Sequence, residues 1–95
     1  MTAYWIAHVT VTNPDKYAGY QSLAPAAFAK YGAEFLARGG TSQVLEGTDF
    51  DRHVIIQFPS LDHARACYAS PEYTAARAAR DGACTAHVTL VEGLA

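Results

Sequence analysis

Ninety-five residues and 10.2 kDa, with seven Lys+Arg against nine Asp+Glu, predict one domain over residues 1–95 carrying a formal charge of −2. The hydrophobic fraction of 51% is diluted, because 19 of those residues are alanine while Val, Ile, Leu and Phe together number only 19. No cluster of Lys and Arg invites nucleic acid, and no apolar run approaches the ~20 residues of a membrane span, so neither partner is expected.

The opening Met1-Thr2-Ala3-Tyr4-Trp5 has no basic region ahead of an apolar stretch, so no secretory leader is expected. Tyr4–Val11 is rich in β-branched and aromatic residues and reads as a strand. Asn13-Pro14-Asp15 then opens a helix: Asn13 can accept from an orphan amide, Pro14 suits the first turn, and Asp15 favours the positive helix end. Tyr17, Tyr20, Ala24, Ala27 with Phe28, and Tyr31 recur at three- and four-residue steps as one buried face. Pro25 lies inside this pattern and is expected to kink or split it; Gly32 ends it. Two short extended pieces follow, Glu34–Arg38 and Ser42–Glu46, divided by Gly39-Gly40. The first reads as a strand, and the second as a segment pairing with it or with a partner subunit. Arg52–Phe58 is a strand closed by Pro59, and Ser60 caps a helix to about Ala69. Ser70-Pro71-Glu72 restarts a helix through Arg80, Asp81-Gly82 stops it, and Thr85–Glu92 is the last strand.

The order β-α-β-β-α-β, with right-handed crossovers, predicts an α+β, ferredoxin-like subunit: a four-stranded antiparallel sheet with helices on one face. The first and third strands sit centrally, with the last beside the first. Side chains alternate across a strand, which divides each into two lists. Trp5, Ala7, Val9 and Val11, Val54, Ile56 and Phe58, and Ala86, Val88 and Leu90 belong beneath the helices. The opposite lists mix Tyr4, Ile6, His8 and Thr10 with His53, Ile55 and Gln57 and with Thr85, His87, Thr89 and Val91. Such a face is too apolar for bulk water and too polar for a core, and suits a partly enclosed cavity. A small domain buries only about 60–65% of its unfolded surface, and this core is thin, so a second copy of the chain is the expected cover.

Ala7-His8-Val9-Thr10 recurs as Ala86-His87-Val88-Thr89 in strands expected to be antiparallel neighbours. His8 and His87 then project from one face, directly opposite or diagonal, and His53 joins them from the third strand. Three imidazoles approaching one cavity give His8, His53 and His87 as candidate proton shuttles, since imidazole titrates near neutrality. Tyr4, Thr10, Gln57 and Thr89 are the candidate ligand contacts. Pocket-lining and interface hydrogen bonding are the plainer roles for the same histidines. A three-histidine metal site is the least favoured reading, because no His-x-His spacing enforces convergence, and no metal or other cofactor is assigned. Arg77 and Arg80 could clasp an anion with Arg52 or Arg38, although a solvated helix face is the more usual meaning of that spacing. The tyrosines read mainly as core, Glu46 as a partner for Arg52 or a carboxylate in the site, and Cys67 as buried packing. Cys84 has no flanking Lys or Arg in sequence to stabilise a thiolate. Two cysteines are too few for a disulfide framework, so a reducing, cytoplasmic setting is expected.

Taken together, Tyr4-Trp5-Ile6-Ala7-His8-Val9-Thr10-Val11, Asn13-Pro14 with Tyr17 and Tyr20, Lys30-Tyr31-Gly32-Ala33 and Phe35-Leu36-Ala37-Arg38-Gly39-Gly40 carry a resemblance. Val44-Leu45-Glu46-Gly47, Arg52-His53-Val54-Ile55-Ile56-Gln57-Phe58-Pro59-Ser60, Ser70-Pro71-Glu72-Tyr73 and Val91-Glu92-Gly93 extend it over nearly the full length. The chain resembles the family of domains of unknown function numbered thirteen-thirty, within the dimeric α+β-barrel superfamily. The resemblance implies a ferredoxin-like subunit whose sheet packs against that of a twin to form a barrel. It implies no reaction, because the family's own activity is undefined. The family pattern often carries glutamate where this chain has Gln57, and an amide cannot replace a carboxylate as proton acceptor. Cofactor-free monooxygenases, haem-handling proteins, isomerases, dehydratases and regulatory modules share the superfamily, so the fold alone selects none of them.

The functional expectation is a homodimer that binds a small organic metabolite on the helix-free face, with His8, His53 or His87 moving a proton if a reaction is catalysed. Its alternatives are a non-catalytic binding or regulatory module and a purely structural dimer.

Overall fold

The computed structural model describes residues 1–94. β1 (Ala3–Val11) leads into α1 (Pro14–Lys30), β2 (Glu34–Arg38), β3 (Arg52–Phe58), α2 (Leu61–Ala69), α3 (Pro71–Ala79) and β4 (Cys84–Glu92). The sheet is antiparallel throughout with order β2-β3-β1-β4, so β3 and β1 are central and β4 lies beside β1, as the strand pattern predicts. The second helical stretch is two helices, because Ser70 is at once the C-cap of α2 and the N-cap of α3. Its hydroxyl donates to Cys67 O at 2.6 Å and accepts from Tyr73 N at 3.1 Å, which satisfies both helix ends at a buried corner.

α1 begins where its caps predict, with Asn13 Oδ1 accepting from Lys16 N at 3.2 Å. Pro25 does not split it: the helix runs unbroken for 17 residues. Proline removes one amide from the ladder, but Ala24, Ala27 and Phe28 around it are buried against the sheet and hold the turns together. The helix closes with Ala33 N bonded to Phe28 O at 3.1 Å and Gly32 at φ 74°, a left-handed stop that glycine accepts without strain.

Ser42–Glu46 forms no strand within the protomer. The chain from Gly39 to Asp51 instead crosses the helix-free face, and Asp51 N reaches Thr10 Oγ1 at 3.4 Å. The core lies under the helices around Trp5, whose ring meets Phe28 and Tyr73 edge-on, each at 5.1 Å, and stacks on Phe58 at 5.9 Å. The molecule measures 36 × 34 × 17 Å, the thickness of one sheet and one helical layer. Among the described residues, no helix is long and apolar enough to cross a membrane.

Candidate functional site

The register settles the histidine geometry. His8 pairs directly with His53 on one side and with His87 on the other, so three imidazoles occupy a single rung across three strands. His8 Nδ1 and His53 Nδ1 are 2.8 Å apart. At that distance one nitrogen donates and the other accepts, so the pair shares one proton, and a second proton on the contact would break it. His87 does not join the hydrogen bond. Its ring packs on Phe50 at 4.8 Å, while Phe50 lies 6.1 Å from the His8 ring and is itself buried.

Around this rung the 39–51 segment builds a broad groove of about 560 Å³, with Val44, Leu45, Glu46 and Phe50 facing the three histidines. Glu46 therefore stands in the groove, and the fold-holding pair with Arg52 is not formed: the ion pairs among the described residues are Lys30–Glu72 and Arg65–Asp62. Tyr4, Thr10, Gln57 and Thr89 share the face but do not line this groove. Tyr4 and Gln57 pair with each other four residues along the strand from His8, about 13 Å away at the usual rise. No three ligating side chains among the described residues converge to hold a metal, so the three-histidine centre is not met.

A second cavity lies on the opposite face, between α1 and the sheet, with a volume of about 240 Å³. Its walls are mainly apolar: Trp5, Phe28, Phe35, Val54 and Ile56, with the rings of Tyr17 and Tyr20. Gln21, Pro25 and Arg38 in its lining are exposed, which marks the mouth between α1 and the β2–β3 edge. Arg52 lines it beside Arg38. Burial pushes the Tyr17 hydroxyl above its ordinary range, and burial together with neighbouring Tyr73 does the same to Tyr20, so both stay protonated near neutrality. Tyr20 and Tyr73 share a hydrogen bond of 2.8 Å.

Arg77 and Arg80 do not form a clasp with the cavity pair. Arg77 lies over Tyr68 at 4.5 Å and Arg80 over Tyr20 at 4.9 Å, both as cation–π contacts. Arg80 also donates to Cys84 Sγ at 3.3 Å, a cation that sequence proximity across the 80–83 turn conceals. Sequence reasoning missed this cavity. Its signal was available in the alternation Arg52, Val54, Ile56, which places a charged residue on the face beneath the helices.

These features define a ferredoxin-like α+β subunit with one face covered by helices and a cavity between the layers. The chain belongs to the family of the domain of unknown function DUF1330, whose model matches residues 2–94. Among solved structures it is similar to RPA0582, a protein of unknown function from Rhodopseudomonas palustris, at 18% identity and a TM-score of 0.81, covering 99% of this chain and 83% of that one. It is also similar to SnoaB, a cofactor-independent oxygenase from Streptomyces nogalater, at 18% identity and a TM-score of 0.65, covering 99% and 94%. A dimeric protein of unknown function and ferredoxin-like fold from Bacteroides fragilis matches at 14% identity and a TM-score of 0.66, covering 97% and 96%. No curated protein matches the chain.

Proposed function

We propose that the protein is a homodimer, closed through its helix-free faces, that binds a small organic molecule in the cavity between α1 and the sheet. The observation that carries this reading is the cavity itself, aromatic-walled and open at one side. An apolar cavity of about 150 Å³ already holds benzene, so about 240 Å³ suits a one-ring compound with a substituent, or a short acyl chain. The likeness to a cofactor-independent oxygenase supports a small-molecule role at the level of fold.

The opposite face supports the dimer. Ile55 and Val91 are 37% and 44% exposed there, and Leu45 over the groove is 82% exposed. Apolar side chains grouped on a bare sheet call for a cover. The Bacteroides fragilis neighbour is described as dimeric.

The test is an amide-resolved NMR titration with a panel of one-ring aromatic and short acyl compounds. Shifts grouped on Tyr17, Tyr20, Phe35 and Val54 are expected. A panel that moves none of these signals contradicts the reading.

One observation favours a second reading, in which the molecule lies against the helix-free face. The His8–His53 contact at 2.8 Å is a proton-sharing pair at the wall of a groove. In that reading His8, His53 and His87 move a proton, and Tyr4, Thr10, Gln57 and Thr89 orient the molecule or the twin. Shifts in the same titration that group on the histidine rung select it.

A further inference from the structure

The cavity between α1 and the sheet has an electrostatic asymmetry that its apolar walls do not explain. Arg38 pairs in register with Val54, and Arg52 precedes Val54 by two residues, so the two arginines are diagonal neighbours on the helix-covered face. Such positions lie about 7–8 Å apart. Both line the cavity. Two like charges so placed repel each other beside a low-dielectric wall. No carboxylate of the described residues comes within 4.0 Å of either guanidinium.

Each group has a close neighbour at the cavity mouth. Arg38 lies on the ring of Phe35, with its guanidinium carbon 4.4 Å from the centroid. The Arg52 guanidinium lies over Gly39, close enough that a Cβ there would push it aside. The chain as a whole carries a formal charge of −2, so this paired cationic edge is not a consequence of composition.

We propose that the cavity takes an apolar carboxylate, its ring or chain among the aromatic residues and its carboxylate bridging Arg38 and Arg52. This rests on the reading of the cavity as the ligand site and adds the chemical class of the ligand. A carboxylate accepts in-plane hydrogen bonds from two guanidinium groups, and its charge removes the repulsion between them. The apolar wall lowers the local dielectric and strengthens that attraction.

Phenylacetate and its uncharged twin phenylacetamide separate the two claims, measured by calorimetry and by amide shifts. Phenylacetate is expected to shift Phe35, Arg38 and Arg52 and to bind at least about tenfold more tightly than the amide. Arg38→Gln and Arg52→Gln are each expected to bring phenylacetate down towards the affinity of phenylacetamide, while Arg52→Lys retains part of the difference. Raised salt weakens the acid and leaves the amide unchanged. Equal binding of the two compounds inside the cavity overturns the carboxylate proposal and leaves the cavity reading standing. Binding of neither compound there overturns both. The comparison on the unmodified protein decides the matter even if a glutamine variant fails to fold.

Discussion

Cys67 is fully buried beneath α1, with its Sγ 3.8 Å from Ala27 O, and burial pushes its thiol from 9.0 up to about 11. The unfolded chain releases this proton near pH 9 while the folded one holds it, so the associated stability is intact below pH 9 and is lost as pH rises to about 11. The stability gap between the wild type and Cys67→Ala in urea unfolding is therefore expected to narrow from pH 9 to pH 11. Two curves that stay parallel over that window contradict the assignment. Gly39, at φ 68°, is one of four described glycines in the left-handed region, and it lies beside Arg52. Gly39→Ala is expected to cost about 1 kcal/mol or more from the left-handed backbone alone, read as a lowered melting temperature. It should also displace Arg52 and weaken phenylacetate binding. An unchanged affinity would separate Arg52 from the cavity's chemistry.

At the scale of elements, α1 carries an unusual load. Pro25 sits in its interior and at the cavity mouth, leaving the Gln21 carbonyl without its usual amide. Pro25→Ala restores that hydrogen bond and is expected to stabilise the protein in thermal melts, by up to about 3 kcal/mol on helix propensity. A loss of stability would mean the pyrrolidine ring packs better than the backbone bond it displaces. β1, β3 and β4 were legible because alternation repeats faithfully in Trp5/Ala7/Val9, Val54/Ile56/Phe58 and Ala86/Val88/Leu90. The caps at Asn13, Ser60 and Ser70 were legible because each is a short-range contact. The split that Pro25 suggests locally does not occur, since propensity cannot weigh the burial of Ala24, Ala27 and Phe28 that outvotes it. Ser42–Glu46 reads as extended because Val44 and Leu45 are apolar, yet they line the groove over the histidine rung rather than a ladder. The rung itself followed from the repeated Ala-His-Val-Thr string once the register was known. The Arg38–Arg52 pair depends on tertiary placement of two strand ends, and no local pattern announces it.

For the whole molecule, the sheet separates two tasks. One face carries α1 and its cavity; the other carries the histidine rung, the 39–51 segment and the exposed Ile55 and Val91. A molecule only 17 Å thick has one helical layer, and the second cover comes from a twin in this account. In that account a carboxylate placed at Ile55 would be buried under the twin, and burying it unpaired costs several kcal/mol. Sedimentation equilibrium at micromolar concentration, on the wild type and on Ile55→Glu, is the most direct test. The account predicts twice the 10.2 kDa chain mass for the wild type and the single-chain mass for a still-folded Ile55→Glu. A wild type that sediments as 10.2 kDa would contradict it.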